Sequence, residues 1–334
     1  MINKPNILTD SHGRHHNYLR ISLTEKCNLR CTYCMPASGV PLTPSAKLMN
    51  ASEIFEIANE FVTNGVNKIR LTGGEPLVRK DFSEILSKLS ILNTTLSITT
   101  NAIIVDRFID DLKSASVKTV NVSLDTLQKE RFIQMTLKDQ FEKVMSNILL
   151  LLENNFKVKI NVVLLRGVND SEIIDFISLT KHLSVVIRFI EFMPFDGNKW
   201  DRSKAVGLKE IEESISKVFS PHEVQRIQDA PNDTAKNFKI KGYLGSYAVI
   251  STVTNPFCDS CNRLRLTADG KIRNCLFSEN ESDLLTELRK GKPIGPIINA
   301  AVKKKFAVRA GLDTEEKFQD PNNHNNRSMI RIGG

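Results

Sequence analysis

The residues best suited to chemistry are three cysteines in the segment TEKCNLRCTYCMP, at positions 24–36. Cys27, Cys31 and Cys34 have the spacing C-x3-C-x2-C, which is too specific to indicate inert buried thiols. A [4Fe–4S] cluster is held by cysteine thiolates, so a trio leaves one iron without a protein ligand. Catalytic metal centres keep such an open position for a substrate or cofactor. The spacing therefore predicts an iron–sulfur cluster with an open iron.

A second trio lies in the C-terminal part, where Cys258, Cys261 and Cys275 have the spacing C-x2-C-x13-C. A C-x2-C pair alone also occurs in zinc ribbons and redox motifs. Here the third cysteine follows a predicted hairpin with its turn at Asp269-Gly270, which argues against a thioredoxin-like motif. We favour a second three-thiolate cluster with an open iron.

Zinc is the alternative metal for both trios. A structural zinc site has four ligands, so each trio would need one more. The first could use His15 or His16, in an N-terminal segment that we expect to be flexible, and the second His222 or His324. The sequence alone does not exclude a zinc site at either trio, and zinc is a stronger alternative for the second trio than for the first.

The first trio resembles the signature of the radical S-adenosylmethionine (SAM) enzymes, in which an aromatic residue, here Tyr33, precedes the last cysteine. In that family the amino and carboxylate groups of SAM chelate the open iron. One electron from the reduced cluster breaks a C–S bond of SAM, and the resulting 5′-deoxyadenosyl radical abstracts hydrogen from a substrate. The resemblance implies SAM as a cofactor of this chain.

Strand and helix patterns alternate between the two trios. The predicted strands cover residues 18–24, 68–74, 96–101, 119–125, 157–165 and 185–193. The helix after residue 50 is predicted to begin with Ser52 as its N-cap and to stop at Gly65. Six βα repeats predict a parallel sheet, and because eight repeats close a TIM barrel, six predict an open, partial (βα)6 barrel. Radical SAM enzymes are similar in having such a core.

The pattern changes after EFMPFDGNKW, which ends at residue 200, and one predicted helix (207–218) is followed by short strands and two more helices. This predicts a smaller C-terminal α+β region that carries the second trio. We place the partial barrel at residues 12–235 and the C-terminal region at 236–334. The last residues are polar and rich in asparagine, and by composition alone they would be a frayed tail.

Chemistry in such barrels lies at the carboxyl ends of the strands. The predicted strand ends carry Gly74 in TGGEPL, Thr99, Ser123 and Met193. Cationic residues also lie on or beside strands, and arginine can bind an oxyanion through two hydrogen bonds. They are Arg20, Arg70, Lys159, Arg263 and Arg265. Five cations around one cavity would suit a triphosphate.

The chain of 334 residues has a formal net charge of +8, which favours an anionic partner. Its longest cationic run, Lys303–Lys305, is too short for a nucleic-acid-binding arm, so we favour a phosphorylated small molecule and expect no nucleic-acid partner. No apolar run is long enough to span a membrane, and the N-terminus lacks the apolar stretch of a secretory signal. We expect a cytoplasmic protein, because thiols stay reduced there.

Both trios, together with TGGEPL, SLD, RFIEFM, C-x2-C-x-R-x-R and a final Gly-Gly, resemble the GTP 3′,8-cyclase family of radical SAM lyases, over residues 12–334. The resemblance implies cyclisation of GTP to (8S)-3′,8-cyclo-7,8-dihydroguanosine 5′-triphosphate, the first step of molybdenum cofactor biosynthesis. Two departures are TTNA in place of the more usual TTNG and a shorter stretch after CMP. The rival interpretations are another two-cluster radical SAM enzyme, such as a peptide-modifying maturase, and a zinc-ribbon nucleic-acid-binding module.

The resemblance also implies a role for each matching residue. Two [4Fe–4S] clusters would be held by Cys27, Cys31 and Cys34 and by Cys258, Cys261 and Cys275. SAM would contact Tyr33, Gly74, Ser123 and Met193. GTP would be bound by Arg20, Arg70, Thr99, Lys159, Arg263 and Arg265. Gly333 and Gly334 would enter the active site. The implied partners are a second copy of the chain in a homodimer, an electron-donor protein and a downstream cyclic pyranopterin monophosphate synthase.

Overall fold

The structure is a computed structural model that describes residues 7–36, 38–324 and 327–333. Six βα repeats form its first part. The strands are β1 (Tyr18–Ser22), β2 (Lys68–Thr72), β3 (Thr95–Thr100), β4 (Thr119–Ser123), β5 (Lys157–Leu164) and β6 (Val185–Glu191). The helices are α1 (Ala51–Thr63), α2 (Phe82–Ser90), α3 (Ile109–Ser114), α4 (Lys129–Thr136), α5 (Phe141–Glu153) and α6 (Ile173–Leu179). All six predicted strands are confirmed, each ending one or two residues earlier than predicted.

The second part adds shorter elements. Its strands are β7 (Val224–Arg226), β8 (Lys236–Ile240), β9 (Ser246–Ile250), β10 (Arg263–Leu266), β11 (Lys271–Arg273) and β12 (Ser282–Asp283). Its helices are α7 (Leu208–Ser216), α8 (Leu285–Arg289), α9 (Gly295–Lys303), α10 (Glu315–Gln319) and α11 (Met329–Ile332).

All described strands belong to one open sheet of twelve, in the order β12-β11-β10-β1-β2-β3-β4-β5-β6-β9-β8-β7. Strands β1 to β6 are parallel neighbours, which confirms the partial barrel. The C-terminal strands extend both edges, because β10 pairs parallel with β1 and β9 pairs parallel with β6. The proposed division at residue 235 therefore separates strands of a single sheet.

Helix α1 shows how the sequence sets an element boundary. Its N-cap is Asn50, so the prediction of Ser52 is wrong. The Asn50 side chain accepts a hydrogen bond from the Glu53 backbone N–H at 2.9 Å, and the Glu53 carboxylate accepts one from the Asn50 N–H at 2.8 Å. This reciprocal pair satisfies two backbone donors that a helix start leaves free. The predicted stop is confirmed, since the helix ends at Thr63 and Gly65 has a φ of +113°.

Strand β1 divides its side chains between the core and the inside of the barrel. Leu19 and Ile21 are fully buried in the main hydrophobic core. Tyr18 and Arg20 line a cavity on the opposite face. Successive side chains of a strand point to opposite faces, so this alternation places polar groups where the sheet curves around a ligand space.

Residues 7–16 of the N-terminal segment are fixed by hydrogen bonds, so the expected flexibility is wrong for these residues. Thr9 and His15 form an antiparallel bridge, and His16 is fully buried with Nε2 at 3.1 Å from the Asp10 carboxylate. Arg14 donates to the Asp10 carboxylate at 2.7 Å. This buried polar network stabilises the conformation of the N-terminal segment. Among the described helices, none has the length and apolar character needed to cross a membrane.

Candidate functional site

Both cysteine trios open onto one cavity of about 680 Å³. All six cysteines are free thiols that line it. The residues predicted to contact SAM line the same cavity, namely Tyr33, Gly74, Ser123 and Met193. So do those predicted to bind GTP, namely Arg20, Arg70, Thr99, Lys159, Arg263 and Arg265. Residues far apart in the sequence therefore meet at one site.

The first trio lies in the loop that follows β1, and the Gly-Gly segment after β2 supports this loop. The Gly74 N–H donates to the Thr24 carbonyl at 2.7 Å, and the Glu75 N–H donates to the Lys26 carbonyl at 2.8 Å. A Cβ atom on Gly74 would lie only 2.5 Å from the Lys26 carbonyl oxygen. Gly74 is thus required for the cysteine loop to pass beside it, a role that sequence analysis did not assign.

The sulfur atoms of the first trio lie in a buried environment. Burial raises the pKa of Cys27 to about 11 and that of Cys34 to about 12, and it also raises the pKa of Cys31. Thiolates in such a place need a positive partner, and iron supplies one. The Leu29 backbone N–H, at 3.4 Å from Cys27 Sγ, adds the kind of hydrogen bond that cluster thiolates accept. The three residues fit an iron–sulfur cluster.

The second trio is surrounded by cationic groups. Lys305 Nζ lies 3.3 Å from Cys261 Sγ, and the Arg309 backbone N–H lies 3.4 Å from Cys258 Sγ. Burial opposes ionisation of Cys261, but the positive charges of Lys305 and Arg263 overcome it and lower its pKa to about 6. A thiol ionised in this way is a ready ligand for iron.

No described group of three or more His, Cys, Asp or Glu side chains is arranged to hold a single metal ion. None of the four histidines considered as zinc ligands, His15, His16, His222 and His324, lines the cavity that the trios share. His16 bonds to Asp10, His324 contacts the Phe318 carbonyl, and His222 is exposed.

Tyr33 is held in place by a buried carboxylate. Its hydroxyl donates to Asp125 Oδ2 at 2.6 Å, and Asp125 Oδ1 accepts the Val163 backbone N–H at 2.8 Å. Burial raises the pKa of Asp125 to about 6, and the two hydrogen bonds only partly offset this effect. Asp125 is the last residue of the SLD segment, so this segment orients the aromatic ring of the first trio.

Cationic side chains form two rows across three parallel strands. Tyr18 of β1 lies in register between Lys68 and Arg263, and in the next row Arg20 lies between Arg70 and Arg265. The Tyr18 ring contacts three cations, with Lys68 Nζ at 4.9 Å from its centroid and the guanidinium carbons of Arg70 and Arg20 at 5.5 Å and 5.8 Å. Burial opposes ionisation of the Tyr18 phenol, but the surrounding cations lower its pKa to about 8.

These cations form no ion pairs in the described part of the chain, and Asp233, which also lines the cavity, acts on Lys159 and Arg188 only from a longer distance. Eight arginines and lysines line the cavity: Arg20, Lys68, Arg70, Lys159, Arg188, Arg263, Arg265 and Arg309. Within the described residues, Nε of Arg20, Arg70 and Arg188 is buried without a hydrogen-bond partner. Burial, followed by repulsion from like charges, lowers the pKa of Arg188 to about 9 and that of Lys159 to about 8. Such a cluster requires an anion.

Comparisons with known proteins place the chain in a family. The Radical SAM superfamily model matches residues 21–180, and the Molybdenum Cofactor Synthesis C model matches residues 185–310. GTP 3′,8-cyclase of Listeria welshimeri is 40% identical over 344 residues, which cover 98% of this chain and 99% of that protein. The chain belongs to the GTP 3′,8-cyclase family.

Other members of this family differ in length. The mitochondrial GTP 3′,8-cyclase of Arabidopsis thaliana is 47% identical over 98% of this chain and 84% of that protein. Molybdenum cofactor biosynthesis protein 1 of Homo sapiens is 44% identical over 97% of this chain, but the chain spans only 51% of that relative. The crystal structure of Streptococcus suis SuiB bound to S-adenosylmethionine has a TM-score of 0.62 at 16% identity, covering 86% of this chain and 69% of that one. This likeness shows the shared radical SAM fold.

The C-terminal tail of this cyclase-family chain packs into the barrel. Ile330 and Ile332 of α11 are buried, and Ile330 lines the cavity together with Met329. Arg331 forms an ion pair with Glu25, close to the first trio, at 3.3 Å. The composition-based expectation of a frayed tail is therefore wrong for residues 327–333.

Gly333 reaches the carboxyl ends of β1 and β2. Its φ is +84°, and a Cβ atom there would lie 2.5 Å from Thr72 Oγ1 and 2.9 Å from Ser22 Cβ. The Arg265 guanidinium donates to the Gly333 carbonyl. No other residue type fits this position without displacing its neighbours. Gly334 lies outside the described residues.

Sequence analysis missed several residues of the site. Lys68 and Arg188 line the cavity beside the predicted cations. Lys68 had a signal, because it lies two positions before Arg70 on the same strand and so shares its face. No sequence signal pointed to Lys305 or Arg309, because their contacts with the second trio depend on how the chain after α9 packs.

Proposed function

We propose that this chain is a radical SAM lyase that converts GTP to (8S)-3′,8-cyclo-7,8-dihydroguanosine 5′-triphosphate, the first step of molybdenum cofactor biosynthesis. The observation that carries the proposal is a set of eight cations, none in an ion pair within the described residues, in a cavity shared by two cysteine trios. A triphosphate supplies the missing negative charge, and the first trio supplies the ligands of a cluster that binds SAM.

The first part of the mechanism is the binding of SAM. Cys27, Cys31 and Cys34 would hold a [4Fe–4S] cluster, whose chemistry is the reductive cleavage of SAM to a 5′-deoxyadenosyl radical that takes hydrogen from C3′ of GTP. SAM would be held by Tyr33, Gly74, Ser123 and Met193. Asp125 would keep the Tyr33 ring oriented through its hydrogen bond to the hydroxyl.

The second part is the orientation of GTP. The two cation rows on β1, β2 and β10, with Lys159 and Arg188, would bind the triphosphate through charge-assisted hydrogen bonds. Thr99, whose buried hydroxyl has no partner among the described residues, would add a further contact. Holding the substrate at many points fixes C3′ near the radical and C8 of guanine near C3′, so that the new C3′–C8 bond can form.

The third part is a second [4Fe–4S] cluster on Cys258, Cys261 and Cys275, whose open iron would bind the guanine. The surroundings of the trio support this cluster, because two of its sulfurs accept hydrogen bonds from Lys305 and Arg309, as the thiolate ligands of iron–sulfur clusters do. Gly333 and Gly334 would complete the site, with the tail excluding water from the radical intermediate.

Several implied properties extend beyond the site. We propose that the chain works in the cytoplasm as a homodimer, takes electrons from a donor protein and passes its product to a cyclic pyranopterin monophosphate synthase. We also keep the division into a barrel of residues 12–235 and a C-terminal region of 236–334, although the second family model begins at residue 185. Cell fractionation tests the cytoplasmic location, and analytical ultracentrifugation tests the homodimer.

The decisive experiment is an anaerobic reaction of the reconstituted protein with SAM, a reductant and GTP deuterated at C3′. We expect 5′-deoxyadenosine that carries deuterium, together with the cyclised nucleotide. Unlabelled GTP and ATP serve as controls for label transfer and base selectivity. Formation of 5′-deoxyadenosine without deuterium and without a new nucleotide would show that GTP is not the substrate.

A further inference from the structure

Lys305 is a buried cation behind the second cysteine trio. It follows the C-terminal end of α9 and is 4% exposed. Its Nζ donates to Cys261 Sγ at 3.3 Å and to the Arg263 carbonyl at 3.0 Å. Lys305 is not among the residues that line the cavity, so its ammonium group faces the ligand sulfur and not the substrate space.

The charge of Lys305 has no carboxylate partner in the described part of the chain. All ion pairs of the neighbouring segment involve other residues, such as Lys317 with Asp313 and Arg327 with Asp269. Burying an ammonium group is unfavourable unless an anion lies close to it. The Cys261 sulfur is the atom that can carry this negative charge, because it is in hydrogen-bond contact with Nζ.

We propose that Lys305 is a positioning residue for the second cluster: its ammonium group neutralises the Cys261 thiolate, helps to retain the cluster and makes it easier to reduce. The inference rests on the proposed second cluster. Reduction adds negative charge to an iron–sulfur cluster, and a fixed cation that hydrogen-bonds to a ligand sulfur stabilises the reduced state more than the oxidised one.

The first trio has more acidic surroundings. Asp125 and Glu75 are buried carboxylates near its thiols and disfavour further negative charge on the cysteines, while Arg30 acts in the opposite direction on Cys27. Near the second trio the charged neighbours are Lys305, Arg263 and Arg309. The two clusters should therefore differ in reduction potential, the second being the easier to reduce, and Lys305 is the cation in direct contact with a sulfur.

The test is an anaerobic redox titration of the reconstituted holoenzyme, followed by electron paramagnetic resonance. A Cys31→Ala variant, which keeps only the second trio intact, assigns the signals to the two clusters. In Lys305→Met we expect the reduction equilibrium of the second cluster to become at least about tenfold less favourable, which is about 59 mV for a one-electron couple. The first cluster should keep its potential.

The matched control is Lys304→Met, which removes the same charge from an exposed position one residue away. It should leave both potentials and the iron content unchanged. A Lys305→Gln variant keeps a hydrogen-bond donor near Cys261 without the charge, so it should also lower the potential. Selective loss of the second cluster in Lys305→Met would support the retention role, and the potential would then be read from Lys305→Gln.

Three results would overturn parts of this account in distinguishable ways. Wild-type potential and full iron content in both Lys305 variants would show that Lys305 only anchors the backbone through the Arg263 carbonyl. A wild-type potential in Lys305→Gln, together with a lowered one in Lys305→Met, would show that hydrogen bonding and not charge is decisive. An iron content of about four per wild-type chain, instead of about eight, would show that the protein holds one cluster and that the second trio binds none.

Discussion

Arg20 on β1 and Arg70 on β2 are register partners on adjacent parallel strands, and both side chains line the cavity. Arg265 of β10 lies in register on the other side of Arg20. Three like charges in one row repel one another, and burial strengthens the repulsion because water no longer screens them. The protein therefore holds this row at a cost in stability that an anionic ligand would offset.

The first prediction concerns Arg70, which is 7% exposed. Arg70→Met removes the charge-assisted hydrogen bond that we propose between Arg70 and GTP, worth about 1.5–3 kcal/mol, so GTP affinity should fall about ten- to a hundredfold. The free energy of unfolding without GTP should stay the same or rise, because a repelling buried charge is lost. Equilibrium dialysis and denaturant unfolding measure the two effects.

Arg107 provides the control for this variant, since it is exposed and lies away from the cavity. Arg107→Met should change neither GTP affinity nor stability by a measurable amount. Arg263→Ala should behave like Arg70→Met, whereas Arg265→Ala also loses the hydrogen bond to the Gly333 carbonyl. Variants that unfold more easily but bind GTP normally would assign these arginines to the fold.

The strands could be predicted because β-branched and apolar residues cluster in runs of strand length, as in KIRLT of β2. Helix α4 is harder to predict from the sequence, because its residues, KERFIQMT, are few and mostly polar. Asn50 and Ser52 are both capping residues, and only the reciprocal bond with Glu53 decides between them. The cysteine spacing and the family resemblance predicted the six cysteines and ten further residues that line the cavity, but not Lys68 or Arg188.

The buried contacts that support the site were not predictable, because they join segments distant in sequence. Lys305 meets Cys261 only through the packing of the chain after α9, and the polar segment around His16 has a composition typical of a flexible end. Burial of charged and polar groups depends on partners from other segments, and spacing patterns carry no information about those partners.

The second prediction separates the two clusters. Cys31→Ala should abolish SAM cleavage while about four irons remain on the second trio. Cys261→Ala should keep the first cluster and a residual, uncoupled cleavage of SAM, but GTP binding should weaken. Iron and sulfide analysis with 5′-deoxyadenosine quantification checks both variants. If the two proteins lose the same iron and behave alike, the trios do not hold separate clusters.

The third prediction concerns the tail. In Gly333→Ala the new Cβ atom would clash with Thr72 and Ser22, so α11 should be displaced from the barrel. Formation of the cyclised product should fall sharply, whereas both clusters and the cleavage of SAM should persist. Product assays and iron analysis measure this uncoupling.

Gly291 is a matched control for the backbone effect, because its φ is +69° and nothing lies within 4 Å of its missing Cβ. Gly291→Ala should lose about 1–2 kcal/mol of stability from the left-handed conformation alone and keep full activity. Normal product formation in Gly333→Ala would mean that the tail has no part in the reaction.

The fourth prediction concerns acid sensitivity and rests on His16. Burial first, and then the charge of Lys305, lower the pKa of His16 to about 3, although its contact with Asp10 acts in the opposite direction. The unfolded chain has an ordinary histidine with a pKa near 6.5, so between about pH 3 and 6.5 it binds the proton that the folded state excludes. Stability is therefore fully present above pH 6.5 and decreases as the pH falls through this window.

The variant His16→Gln keeps a donor for Asp10 and removes the titrating ring. Between pH 8 and 5.5 the wild-type protein should lose about 1.4 kcal/mol more stability than the variant, because a single group with an unfolded pKa near 6.5 gains nearly one proton on unfolding at pH 5.5. Although burial acts in the opposite direction, hydrogen bonds from Arg14 and His16 lower the pKa of Asp10 to about 2. Asp10 therefore stays ionised over this pH range and does not contribute to the difference.

Denaturant unfolding at several pH values gives the stability curves of both proteins, with His182→Gln as the exposed-histidine control. Parallel curves for wild type and His16→Gln would show that His16 is protonated as easily in the folded chain as in the unfolded one.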